Sequence, residues 1–202
     1  MEVSIARGGR AFVALSTIGA VVTLPFLLYA CAAFLGLALF LVFVFRDPNR
    51  RVGDGIVAAA DGTVREIDRE RGMVSTYLAL RNVHVTRAPL AGKVEKTVRS
   101  PGKHSPAFSK NTARNERVEI SVKTAIGEIR IIQTAGALAR RIVPYVVEGQ
   151  ELTKAERMSL IRFGSRVDVY LPPASVKIVV EAGQKLNAGT TCIAEVLDGK
   201  ME

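Results

Sequence analysis

Between Ala11 and Phe45 the chain carries no charged residue, and no other stretch limits its possible folds as strongly. About 20 apolar residues cross the hydrocarbon core of a bilayer as a helix, so this run is too long for one comfortable span and short for two. Pro25 lies near its middle, preceded by Ser16, Thr17, Gly19 and Thr23, and proline lacks the amide that a helix interior needs. The sequence therefore predicts either a transmembrane helical hairpin bending near Leu24 and Pro25, or a single tilted span from about Phe26 to Phe45. Arg7 and Arg10 precede the run, and Arg46, Arg50 and Arg51 follow it, which suits a hairpin with both ends on the cytoplasmic side. A cleaved signal peptide fits poorly, because its apolar part covers about 7–15 residues and ends at small side chains. Here the run ends at RDPNRR. Residues 1–45 are thus expected to be a membrane anchor and residues 46–202 a folded domain on the cytoplasmic face of the cell membrane.

Beyond Pro48 the apolar period shortens to two. Alternation is plain in VEISVK (Val118–Lys123) and RVDVYL (Arg166–Leu171), as expected for strands with one buried face. Strands are predicted over 55–60, 63–67, 73–79, 82–86, 93–99, 117–123, 128–133, 145–147, 159–163, 166–171, 176–180 and 191–196. Turns at Asp61-Gly62, Ala91-Gly92, Ile126-Gly127 and Ala182-Gly183 separate several of them. The expected fold is mostly β, a largely antiparallel sandwich or flattened barrel. The tail VEAGQKLNAGTTCIAEV (Val180–Val196) resembles the turn-and-strand pattern of biotinyl and lipoyl carrier folds, which points to a barrel-sandwich hybrid. It lacks the Met-Lys-Met of a modified carrier lysine, so the likeness concerns shape alone.

The formal net charge is +9, and only Glu2, Arg7 and Arg10 of the charged residues lie before residue 45. A basic domain beside a bilayer attracts anionic headgroups at about 1 kcal/mol per juxtamembrane cation, with Arg46, Arg50, Arg51, Arg140 and Arg141 as candidates. Nucleic acid is not the expected partner, since the chain has no Trp and no interleaving of aromatic and basic residues. Cys31 falls in the apolar run and Cys192 in a predicted strand, and both are read as reduced thiols. No spacing suggests a metal site.

The chemistry centres on Phe163-Gly164-Ser165 in IRFGSRVDVYLP, where a hydroxyl follows a carbonyl that glycine leaves unshielded. A serine nucleophile needs a base. The chain has two histidines: His84 in the strand-like NVHVTRAP, and His104 in the loop-like SPGKHSPAF. A carboxylate that fixes the imidazole tautomer completes such a set, and Asp61 in VAAADGTV is placed to do so. The order Asp, His, Ser also occurs in serine hydrolases, but Ser165 is followed by an alternating strand and lacks a G-x-S-x-G elbow.

VAAADGTV (Val57–Val64), NVHVTRAPLAGKV (Asn82–Val94), ARNERVEI (Ala113–Ile120) and the Ser165 string, in that order and spacing, resemble the phosphatidylserine decarboxylase proenzyme family in its short, archaeal-type branch. The likeness runs from about Phe45 to Val196. It implies that Ser165, with His84 as base and Asp61 behind it, attacks the carbonyl of Gly164. The resulting ester then eliminates, dividing the chain into 1–164 and 165–202 and leaving a pyruvoyl cofactor derived from Ser165. That ketone would form a Schiff base with the amine of the membrane phospholipid phosphatidylserine and release CO₂, giving phosphatidylethanolamine. No other cofactor is implied, the two pieces would stay associated, and homo-oligomerisation is left open. Family members with a His-x-x-His pair have a histidine where this chain has Arg81, so either His84 serves both reactions or another donor protonates the decarboxylated carbon. Arg81, Arg114 and Arg117 are candidate partners of the substrate phosphate and carboxylate, because guanidinium binds both in bidentate fashion, and the charged residues of RNER (Arg114–Arg117) are equally candidates for holding the sheet together. The same chemistry on an ether lipid, archaetidylserine, is the first alternative. A non-catalytic membrane-anchored β-domain is the second.

Overall fold

The apolar run folds as two short helices. A computed structural model describes residues 3–6, 8–23, 27–102, 115–136, 141–161 and 165–197, and the chain divides into two units, 1–49 and 50–202. In the first unit, strand β1 (Val3–Ile5) leads to helices α1 (Arg10–Thr23) and α2 (Leu28–Val44) and then to β2 (Arg46–Pro48). The helices have 14 and 17 residues, or about 21 and 26 Å at 1.5 Å per residue, against a hydrocarbon core of about 30 Å. Among the described residues no helix is long and apolar enough to cross a membrane. That corrects the expected transmembrane hairpin or single span. Leu27 is extended (φ −147, ψ 94), so the run is interrupted before a full-length span can form. The bend expected at Leu24 and Pro25 lies outside the described residues.

The two helices still make an antiparallel hairpin. A Cβ on Gly19 would collide with the Phe34 ring at 2.8 Å, and the Phe12 and Phe45 rings stack with centroids 6.0 Å apart. At the base, Ile5 pairs with Arg46 in the antiparallel β1–β2 ribbon. The hydroxyls of Thr17 and Thr23 donate to the carbonyls of Val13 and Gly19 at 2.9 and 2.8 Å, which satisfies them inside an apolar helix. Leu15, Ile18, Val21, Leu28, Tyr29 and Leu39 are exposed.

The second unit is built from strands throughout. They are β3 (Ile56–Val57), β4 (Gly62–Asp68), β5 (Met73–Leu78), β6 (Val85–Arg87), β7 (Gly92–Ser100), β8 (Arg117–Thr124) and β9 (Gly127–Ala135), followed by β10 (Ile142–Pro144), β11 (Glu151–Leu152), β12 (Arg157–Ile161), β13 (Ser165–Tyr170), β14 (Val176–Ile178), β15 (Lys185–Leu186) and β16 (Cys192–Val196). An eight-stranded sheet in the order β11-β7-β8-β9-β13-β5-β4-β15 is accompanied by three-stranded sheets β10-β12-β6 and β14-β16-β3. Every pairing is antiparallel. The large sheet curls as a half-barrel. Register breaks at Val64/Glu66 and Val94/Lys96 add the bend that a bulge gives an antiparallel pair.

One face of the large sheet supplies most of the core. Val118, Ile120 and Val122 of β8, Ile129 and Ile131 of β9, Val167 and Val169 of β13, and Val74 and Leu78 of β5 are all buried in one apolar cluster. The cluster also takes in Met158 and Ile161 from β12 and Ile193 from β16, so the sheets share a core. Two expected strands are displaced. The strand expected at 145–147 is found at Ile142–Pro144, because the Val147 amide turns back to Gln150 Oε1 at 3.2 Å. The strand expected at 82–86 begins only at Val85, because Asn82 closes a turn. Its amide donates to the Ala79 carbonyl and its Oδ1 accepts from the Ala79 amide, both at 2.9 Å.

Candidate active site

Ser165 opens β13, the strand held between β9 and β5. Its register partners are Ala135 on one side and Leu78 on the other. Paired residues share a face of a sheet, so Ser165 lies on the core face with Ala135 and Leu78. It is 0% exposed, and its hydroxyl has no hydrogen-bond partner. Gly164 lies outside the described residues, as do His104, Arg114 and Arg140.

His84 lies six residues beyond Leu78 and just before β6. The turn closed by Asn82 carries the chain from Leu78, the partner of Ser165, to His84. The His84 carbonyl in turn accepts from the amide of Ile161, the last residue of β12, at 3.0 Å. Ser165 follows Ile161 by four positions in the chain. His84 precedes β6 and does not lie within a strand as expected. It is buried, and its Nδ1 is 2.8 Å from the Asn82 carbonyl oxygen. A carbonyl only accepts, so Nδ1 carries the proton and the lone pair of the neutral ring is on Nε2.

Asp61 is buried nearby, but its bonds lead elsewhere. Both of its oxygens receive the Arg50 guanidinium, with Nη2 to Oδ2 at 2.8 Å, and Oδ1 also accepts the Ala188 amide at 2.8 Å. The expected role of fixing the imidazole tautomer therefore falls to the Asn82 carbonyl. Segment 57–59 runs antiparallel to 87–89, with Val57 N to Pro89 O at 3.1 Å and Arg87 N to Ala59 O at 2.8 Å. This anchors the Asp61 strand against the segment that carries His84. Gly62 follows with φ +153, and a Cβ there would strike the Tyr77 carbonyl, so the tight Asp61-Gly62 turn requires glycine.

The arginines are placed differently. Arg81 is exposed in the turn three residues before His84. Arg117 pairs with Thr134, which pairs with Arg166, and Arg166 is the neighbour of Ser165 in a strand whose side chains alternate. Arg117 is therefore on the opposite face of the sheet from Ser165. Arg166 binds Asp168 through Nε at 2.8 and 2.9 Å. That hydrogen bond holds its pKa above the usual value against the opposing effect of burial.

Thr86, Ser159 and Gln133 are buried polar residues that the sequence did not single out, whereas Asn115 and Glu116 belong to the RNER string that it did. Ser159 donates to Gln133 Oε1 at 2.6 Å, Thr86 and Ser159 hydroxyl oxygens are 2.6 Å apart, and Gln133 Nε2 donates to Thr86 at 3.4 Å. Asn115 Nδ2 donates to the Ala135 carbonyl at 2.8 Å, and Glu116 pairs with Arg99 at 2.7 Å. The signal for Gln133 is its place after Ile129 and Ile131 at an inward position of an alternating strand. A cavity of about 480 Å³ lined by Arg69, Gly72, Pro173, Val176, Lys177, Ile178 and Leu197 adjoins the Met73–Tyr170 end of the β5–β13 pair, opposite the Ser165 end. Among the described residues no three His, Cys, Asp or Glu side chains converge as metal ligands.

Comparison with known proteins identifies the chemistry this framework serves. Residues 37–194 match the family model described as phosphatidylserine decarboxylase. The match covers most of the β unit and defines the protein as a decarboxylase, a lyase. The chain belongs to the phosphatidylserine decarboxylase family. It is 48% identical over 164 residues to a protein of Halobacterium salinarum named as an archaetidylserine decarboxylase proenzyme, covering 78% of this chain and 82% of that one. It is 47% identical over 161 residues to the phosphatidylserine decarboxylase proenzyme of Streptomyces griseus, covering 78% of this chain and 74% of the relative. A protein of Methanosarcina mazei named as an archaetidylserine decarboxylase proenzyme is 41% identical over 176 residues, with 86% and 83% covered. Membership displaces the non-catalytic β-domain alternative.

Proposed function

We propose that the protein is made as a precursor that cuts itself between Gly164 and Ser165, and that the mature enzyme decarboxylates phosphatidylserine to phosphatidylethanolamine at the cytoplasmic face of the cell membrane. The observation that carries this reading is the Ser165 hydroxyl, buried without a partner at the start of β13, whose neighbour Leu78 lies six residues before His84. Burying a hydroxyl unpaired costs about 1–3 kcal/mol.

In the first reaction the Ser165 oxygen adds to the Gly164 carbonyl carbon, and Nε2 of His84 takes the hydroxyl proton. The peptide C–N bond breaks, the proton passes to the departing nitrogen, and an ester joins Gly164 to Ser165. Loss of the Ser165 α-proton then expels the Gly164 carboxylate from Cβ and leaves dehydroalanine, and addition of water releases ammonia. Asp61, held by Arg50 and the Ala188 amide, acts by keeping its strand against the segment that carries His84. The unpartnered Ser165 site fits a small ketone, and the pyruvoyl group supplies an electrophilic carbonyl that takes the substrate amine and draws the electron pair of the breaking Cα–carboxylate bond. His84 is assigned the holding and return of the proton, since a guanidinium such as that of Arg81 is a poor donor.

The two pieces stay together. Residues 165–202 contribute β13 to the middle of the large sheet, β15 to its edge beside β4, and β16 beside β3 with β14 on its other side. The exposed apolar side chains of α1 and α2 support membrane contact by insertion into the interface, which needs no spanning length. The names of the archaeal relatives favour a second reading for the lipid tails, an ether-linked archaetidylserine. Purified enzyme assayed on ester and ether serine lipids with matched headgroups separates the two. The maturation itself is tested by replacing Ser165: Ser165→Ala should accumulate as one uncut chain, and a cut chain would overturn the reading.

A further inference from the structure

The buried ring of Thr86, Ser159 and Gln133 joins β6, β12 and β9, strands next in sheet or in chain to the proposed self-cleavage residues. Ser159 donates to the Gln133 carbonyl, which only accepts, so the 2.6 Å contact between the two hydroxyls must run from Thr86 to Ser159. The Gln133 amide donating to Thr86 closes the ring, and all three residues are 0% exposed. Gln133 belongs to β9 of the large sheet, whereas Thr86 and Ser159 face each other in the β6–β12 pair. Gln133 pairs with Val167 one inward position along from the Ala135–Ser165 pair, and diagonal neighbours on one sheet face lie about 7–8 Å apart. Thr86 follows His84 by two residues. The ring therefore crosses the core between the sheet that holds the nucleophile and the strand pair that holds the base.

We infer, on the self-cleavage reading above, that this ring is the positioning device of maturation: it fixes the inner face under Ser165 against the His84 segment so that Nε2 reaches the hydroxyl. The three side chains act through the three strands they join. Such positioning bears directly on rate, because a misplacement of about 1 Å can cost up to about 100-fold.

The test uses full-length precursor pulse-labelled during cell-free synthesis. The first-order rate constant of the split is read separately from its amplitude, so a misfolded fraction lowers the amplitude and leaves the rate constant of folded molecules measurable. Thr86→Val keeps the shape and loses the hydroxyl, whereas Thr86→Ser keeps the hydroxyl and loses a methyl. Positioning by hydrogen bond predicts that Thr86→Val and Gln133→Met split at least about 10-fold more slowly than wild type and that Thr86→Ser splits near the wild-type rate. A packing role predicts the reverse order for the two Thr86 variants, and that order overturns the inference. So does a wild-type rate constant in Thr86→Val. If the wild-type chain itself fails to split, the self-cleavage reading falls, and the inference with it.

Discussion

At Ser165, burial works against stability and in favour of reaction. The hydroxyl is enclosed and unpaired, so Ser165→Ala removes a group that costs about 1–3 kcal/mol to bury unsatisfied. That variant should be an intact, inactive precursor with a cooperative thermal transition, visible as one band on a denaturing gel and one melt by circular dichroism. Loss of cooperative folding would show that the serine has a structural role. His84→Ala should fold and split about 10²–10⁴-fold more slowly, the usual loss of a general base, measured as the decay of precursor with time. Decay at the wild-type rate would remove His84 from the mechanism. Asp61 behaves differently because its side chain and that of Arg50 are only 7% and 17% exposed. Removing one partner of such a pair leaves a buried charge and costs about 3–5 kcal/mol. Asp61→Ala should therefore lower the denaturation midpoint as well as the rate of maturation, and an unchanged midpoint would contradict the anchoring role given to Asp61.

Among the elements, β13 matters most because cleavage would occur at its first residue while it stays paired on both sides. Fragments 1–164 and 165–202 should co-elute in size-exclusion chromatography without denaturant and part only when unfolded. Separation under native conditions would contradict the topology. In β16, burial pushes the Cys192 thiol up, and its Sγ donates to the Ala194 carbonyl at 3.3 Å. A raised folded value means this contribution is present below the titration of the unfolded thiol and lost as pH rises through the folded value. Alkylation of Cys192 at pH 8 should accordingly lag behind that of a small free thiol.

Much at this scale was legible. VEISVK and RVDVYL alternate strictly and became β8 and β13, since one buried face dictates period two. The two-residue strands β11 and β15 offered no run long enough to alternate. The strand expected at 82–86 failed because the Asn82 side chain competes for backbone bonds, a local effect that apolar patterning does not register. At the site, Ser165 and His84 stand out as candidates from their surroundings in sequence. The partners of Asp61 do not, because Arg50 and Ala188 reach it only through the folded chain.

The whole molecule pairs a basic β unit with a hairpin whose apolar side chains are exposed, and the sequence misled chiefly there. Counting uncharged residues from Ala11 to Phe45 gave enough length to span, but the extended Leu27 divides it into arms too short to do so. Deleting residues 1–45 should leave a β unit that still matures, because the proposed chemistry lies beyond them. Activity on bilayer-embedded lipid should fall much more than activity on a short-chain soluble phosphatidylserine. Equal loss on both would mean that the hairpin supports the catalytic fold.

The central claim, that Ser165 becomes the cofactor by cutting its own chain, is tested most directly by the intact mass of the denatured wild-type protein together with N-terminal sequencing of its smaller piece. The account predicts two polypeptides, 1–164 and 165–202. The second should be blocked to Edman degradation and lighter than the serine-started peptide by one ammonia. A single uncut chain, or a small piece that begins with a free Ser165, would contradict it.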